Sequence, residues 1–149
     1  MNTGRKQINI NGAINIDNYE VVAREDERIN AQSTIELFKQ IEEAYPSASN
    51  IYVIADNARY YRAQIVSEYL KTSRIQFKFL PPYSPNLNLI ERLWKFLKKK
   101  VINSYYYESY DIFKKTVMNF FENIKDYHDE LQTLLTEKFQ LIGAQISKT

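Results

Sequence analysis

The sequence predicts a mixed α/β domain: a sheet led by a hairpin, with helices packed on it. Three observations lead there. Apolar residues first alternate at strand spacing, then switch to helical spacing, and the two patterns succeed one another as β-β-α-β-α-β-α-α-α. Residues 51–55, Ile-Tyr-Val-Ile-Ala, form a short continuous apolar run of the kind found in strands buried on both faces. Finally, 149 residues of which 44% are hydrophobic suffice for one domain with a core of its own.

Each element has a local reason. Residues 7–16 alternate weakly through Ile8, Ile10, Ile14 and Ile16 and read as a strand. Asp17 and Asn18 supply turn chemistry, and residues 19–23 read as the returning strand. Thr34, Leu37, Phe38, Ile41, Ala44 and Tyr45 lie at helical spacing; this helix is expected to begin between Asn30 and Ser33 and to stop at Pro46. After the 51–55 strand, residues 59–71 read as a second helix, with Val66, Tyr69 and Leu70 on one side. Residues 75–80 read as a strand. Pro81-Pro82-Tyr83-Ser84-Pro85 fits neither helix nor inner strand and is expected to be a stiff loop. Ile90, Leu93, Trp94, Leu97 and Val101 then mark an amphipathic helix. Two further helices fit residues 110–121 and 127–141, ending near Gly143. The chain divides into a hairpin (1–28), an α/β part (29–103) and C-terminal helices (104–149) of one domain.

Composition excludes several chemistries. There is no cysteine, so disulfides, thiolate metal sites and a Cys nucleophile are ruled out. His128 is the only histidine, which argues against His-rich metal sites and a Ser-His-Asp triad. No apolar run approaches the roughly 18 residues of a membrane span, and the start, MNTGRKQ, has no apolar core for a signal peptide. A cytoplasmic, nucleoid-associated protein is expected. The net charge of +2 hides an asymmetry. Residues 56–100 carry ten Lys/Arg against three acids, a charge of +7, which leaves −5 on the rest. A basic block in an otherwise acidic chain suits a polyanion partner, or else a solvated face.

Asp56 follows the 51–55 run and so falls at the carboxyl end of a strand, where open α/β sheets place ligands. Glu91 opens the amphipathic helix. The 34 residues between them allow one helix, one strand and a loop that returns to the sheet. Two converging carboxylates would make an oxygen-rich site suited to Mg²⁺ or Mn²⁺. Local roles compete with this: Asp56 could cap the next helix, and Asn88 with Glu91 reads as a capping box.

Here the residues carry a resemblance. Val53-Ile54-Ala55-Asp56-Asn57-Ala58, followed by Phe79-Leu80-Pro81-Pro82-Tyr83-Ser84-Pro85-Asn86-Leu87-Asn88-Leu89-Ile90-Glu91-Arg92-Leu93-Trp94, resembles the DDE endonuclease domain of bacterial insertion-sequence transposases allied to the mariner superfamily. The 34-residue gap matches that group's spacing between its second and third acids. Gly12-Ala13-Ile14-Asn15 is similar to its early hairpin, and Asn30-Ala31 to its helix entry. The resemblance implies an RNase H-like fold that acts on DNA in transposition. It makes Asp56 and Glu91 catalytic, metal-holding acids for two Mg²⁺ or Mn²⁺ ions, with Asn57 in support. The basic residues Arg59, Arg62, Arg92, Lys95, Lys98 and Lys99 are then expected at DNA phosphates. Departures are Tyr60 and Tyr61 where the family often has His, Asn86 where it has an acid, and Leu89 where it has Pro.

A larger departure concerns the family's first acid, carried on a central strand upstream of the hairpin. No Asp-bearing strand precedes Gln7. Asp17 lies in a turn, and Asp26, with Glu25 and Glu27, reads as a solvated charge run. The expectation is therefore the C-terminal part of a transposase catalytic domain, lacking its central strand and inactive alone. The rival is a non-catalytic DNA-binding or dimerising module that modulates a full-length transposase, through a homodimer or a mixed one. Trp94, Phe120, Phe121 and Phe139 are expected in the core, Tyr105, Tyr106 and Tyr107 in packing, and His128 on the surface.

Overall fold

The computed structural model describes residues 7–80, 89–103 and 105–136. Its elements run β1 (Ile10–Ile14), β2 (Val21–Glu25), α1 (Ala31–Ala44), β3 (Ile51–Ala55), a 3-10 turn (Arg59–Arg62), α2 (Gln64–Lys71), β4 (Ile75–Phe79), α3 (Leu89–Leu97), a π turn (Lys98–Ile102), α4 (Tyr110–Glu122), a second 3-10 turn (Ile124–Tyr127) and α5 (His128–Thr136). The mixed α/β class holds, with the extra helices at the C-terminal end. The expected loop 81–85, Asn86, Asn88, Phe139, Leu141 and Gly143 lie outside the described residues.

The strands form two separate pairs rather than one sheet. β1 and β2 pair antiparallel, from Ile10 opposite Glu25 to Ile14 opposite Val21. β3 and β4 pair parallel, from Ile51 opposite Ile75 to Ala55 opposite Phe79. Among the described residues no ladder joins the pairs. The returning strand starts at Val21 rather than Tyr19 because the turn is wider than a two-residue hairpin. The Asn15 side chain accepts from the Asp17 and Asn18 amides, and the Asn18 side chain accepts from the Glu20 amide. Tyr19 then takes a left-handed φ of 63°.

One helix spans both pairs. α1 starts as expected: the Asn30 side chain accepts from the Ser33 amide (2.9 Å) and Ser33 Oγ accepts from the Asn30 amide (2.8 Å), a capping box. Its buried stripe includes Ile35, Leu37, Phe38 and Ile41. On the hairpin side the stripe meets Ala13 and Val22, and on the other Ile51, Val53 and Phe77. Phe38 touches the Phe77 ring at 5.8 Å between centroids. The hairpin's opposite face, with Ile10, Ile14, Val21 and Ala23, packs on a second core built by α3, α4 and α5 around Leu93, Val117, Leu131 and Leu135. Alternation along β1 and β2 therefore serves two cores at once. Trp94 belongs to this second core, edge-on to Phe121 at 5.9 Å.

Four further expectations need correction. β3 is not buried on both faces: Tyr52 is 62% and Ile54 41% exposed, because among the described residues only the Ile51–Val53 face has a helix against it. The 59–71 helix is broken at Ala63, whose ψ of 147° is extended. Asp26 is not solvated; it is buried, and the Arg24 guanidinium donates to it from Nε (2.9 Å) and Nη2 (2.8 Å). Of the three tyrosines Tyr107 packs on Phe113 with its hydroxyl donating to the Val101 carbonyl; Tyr105 meets the Tyr107 ring at 6.5 Å but is exposed, as is Tyr106.

Candidate metal and nucleic-acid site

β3 delivers Asp56 to the carboxyl end of the parallel pair. Its carboxylate is exposed and accepts the Ala58 amide (3.2 Å), closing a local turn. It caps no helix: the N-caps of the 3-10 turn and of α2 are Ala58 and Ala63, neither with a side-chain bond. Helix capping therefore does not explain Asp56. Glu91 lies exposed in the first turn of α3, one residue before an inward-facing Arg92 and two before the fully buried Leu93. Neither acid makes an ion pair among the described residues. Its possible capping partner, Asn88, lies outside them.

The supporting residues divide. Asn57 Oδ1 accepts Arg62 Nε at 2.8 Å, so this amide holds the arginine rather than the Asp56 carboxylate. Arg62 in turn lies over the Phe79 ring, 5.5 Å from its centroid. Tyr60 and Tyr61 stack beside Asp56. Burial, reinforced by the Tyr60 and Asp56 charges, pushes the Tyr61 hydroxyl far up; burial and Asp56 push Tyr60 up as well. Both therefore stay neutral donors at physiological pH. Arg59, Lys95, Lys98 and Lys99 are exposed, whereas Arg92 turns inward and donates to the Leu134 carbonyl of α5 at 3.2 Å.

The sequence reading missed one polar cluster. Arg74, counted there with the basic block, is bound inside the fold. It donates to the carbonyls of Tyr45 (2.8 Å), Ala48 (2.6 Å) and Glu42 (2.7 Å). The Glu42 carboxylate accepts from the Tyr69 hydroxyl (2.8 Å), the Ser73 hydroxyl and the Arg74 amide. Burial raises the Glu42 carboxyl, but these donors and the Arg74 charge outweigh it and hold the group below its ordinary range. This cluster ties the end of α1 to the start of β4, at the opposite end of the parallel pair from Asp56. No spacing signal marks it.

A donor set of exposed carboxylates, without His or Cys, fits a hard divalent cation. The described residues contain no group of three or more such ligands. Asp56 and Glu91 are thus at most a partial set.

Comparison with known proteins decides the family. The profile of the DDE superfamily endonucleases matches residues 2–114. The chain belongs to that superfamily. An uncharacterised 39 kDa protein of insertion element IS630 from Shigella sonnei is 28% identical over 94 residues, covering 62% of this chain and 27% of that protein. The chain thus spans about a quarter of the length of the relative it matches. Among solved structures, a chain of the simian T-cell lymphotropic virus intasome, in complex with PP2A regulatory subunit B56 gamma, is 16% identical with a TM-score of 0.45; 62% of this chain and 36% of that one are covered. The superfamily generally uses divalent metals and acts on DNA. Among the described residues, no helix is long and apolar enough to cross a membrane.

Proposed function

We propose that this chain is the C-terminal part of an insertion-sequence transposase catalytic domain. Its role is metal-dependent strand cleavage and transfer of DNA in the bacterial cytoplasm, at the nucleoid. The observation that carries the reading is Asp56: an exposed carboxylate at the carboxyl end of a parallel pair, with no helix to cap and, among the described residues, no cation paired to it. Asp56 and Glu91 would hold one or two Mg²⁺ or Mn²⁺ ions. When bound, such an ion neutralises charge on attacking and leaving oxygens of a phosphodiester. Asn57 contributes by fixing Arg62 beside the acid, and Arg59, Lys95, Lys98 and Lys99 offer charge for phosphates.

A third carboxylate would come from a further, Asp-bearing strand that completes the sheet, the place of the family's first acid. Two observations support it. The strand pairs share α1 yet have no ladder between them, and the described acids form no three-ligand group. An unpaired strand edge leaves backbone donors and acceptors unsatisfied. The same two observations favour the second reading, a DNA-binding or dimerising module without chemistry of its own. The test is Mn²⁺-dependent nicking of duplex DNA that carries the element's ends. The purified chain is expected to bind such DNA, more weakly as salt rises, without cutting it. Cutting that is lost in Asp56→Asn would refute inactivity in isolation; absence of binding would refute a DNA-binding role for the chain and leave, of the second reading, only the dimerising module.

A further inference from the structure

Beside Asp56 runs an unbroken file of aromatic rings. Tyr60 meets Tyr61 at 4.7 Å between centroids, Tyr61 meets Phe77 at 5.1 Å, and Phe77 meets Phe79 edge-on at 5.1 Å. The inner members are anchored: Phe77 packs on Phe38 of the α1 core, and Tyr61 is half-buried against Phe77. The outer member is not, since Phe79 is 42% exposed at the end of β4. Arg62 lies over that ring, and its Nε is tied to Asn57, the residue after Asp56. A planar cation and an aromatic face are thus held in fixed relation to the acid before any ligand arrives.

An exposed ring with a guanidinium on it, backed by further rings, has the chemistry of a base-stacking seat. A base within a duplex has both faces covered by its neighbours. Only an unpaired base, frayed or turned out of the helix, can offer a face to Phe79 or to Arg62. We propose that Phe79 and Arg62 seat an unpaired DNA base next to the phosphate handled at Asp56, which makes single-stranded DNA at a strand end the preferred ligand. The proposal rests on the transposase reading and deepens it. Phe79 and Arg62 position the strand; they take no part in bond making or breaking.

The test needs no metal. The chain is mixed, in chelator, with a short single-stranded oligonucleotide bearing one 5-iodouracil, a base that photocrosslinks to an aromatic ring stacked on it. Affinity is followed by fluorescence anisotropy, and the crosslink is mapped by mass spectrometry. The expected crosslink is at Phe79, and the single strand is expected to crosslink more than its blunt duplex. Phe79→Ala is expected to weaken binding about tenfold with the salt slope unchanged, because phosphate contacts remain. Phe79→Leu, which keeps apolar bulk and so guards against misfolding, is expected to lose the crosslink too, while Phe79→Tyr retains it. Crosslinks that map elsewhere, equal affinity of Phe79→Leu and the parent chain, or no binding at low salt would each overturn the seat. Ion binding at Asp56, read separately with Mn²⁺ and no DNA, would stand or fall on its own.

Discussion

Arg74→Met tests whether the polar latch between α1 and β4 holds the parallel pair in place. The substitution keeps most of the stem and removes three donated bonds, to the Tyr45, Ala48 and Glu42 carbonyls. A hydrogen bond from a charged group contributes about 1.5–3 kcal/mol. Three in full would approach roughly 7 kcal/mol, but the carbonyls are only part-buried and water can reach them. The three also share one guanidinium, so their losses do not add. The expected cost is about 3 kcal/mol, near the value for one strong bond plus the lost attraction of the Arg74 charge for Glu42. For a chain of this size that lowers Tm by about 10 °C. Circular dichroism melts of the parent, Arg74→Met, Glu42→Gln and the double variant form the assay. The double variant is expected to lose less than the sum of the singles, because the attraction of the Arg74 charge for the Glu42 carboxylate is lost once and not twice. A loss below about 1 kcal/mol for Arg74→Met, or strict additivity, would refute the latch.

Three other outcomes are expected. Gly12→Ala brings a Cβ within 3.1 Å of both Trp94 Cη2 and the Val22 carbonyl oxygen; the ring can shift but the paired backbone cannot. A loss of about 1–2 kcal/mol should appear in urea titrations; an unchanged midpoint would contradict it. Leu93→Ala, at a fully buried position in the α3–α5 core, should cost about 2–5 kcal/mol and bring forward the loss of near-ultraviolet ellipticity from Trp94. The pH dependence has two arms. The depressed Glu42 carboxyl contributes stability that is present above its unfolded value of 4.5 and lost as pH falls through its lower folded value. The Tyr69 hydroxyl, pushed up to about 12 by burial and by Glu42, contributes stability present below 10 and lost as pH rises towards 12. Melts across pH should show both arms in the parent and neither fully in Glu42→Gln.

Local signals carried far in this chain. Asn30, Ser33 and Pro46 bracket α1 because capping and proline act within a turn or two of backbone. Asp56 was placed at a strand end by the apolar run before it. What depended on distant partners was not legible. The faces of β3 follow from which helices lie against it, and a continuous apolar run alone does not distinguish one covered face from two. The Arg74 latch joins residues about thirty apart, and no periodicity encodes it. Arg92 looked like a free cation on a helix face until α5 folded back over it. The break at Ala63 accompanies the packing of Tyr61 on Phe77, a tertiary contact that overrides helical spacing.

Mn²⁺ titration followed by electron paramagnetic resonance, on the chain and on Asp56→Asn, Glu91→Gln and the double variant, puts the pairing of the two acids to the most direct trial. Saturable binding that either single substitution abolishes, with nothing further lost in the double, is the predicted result. Uptake that survives both singles and falls by independent steps would mean that the two carboxylates serve no common ion.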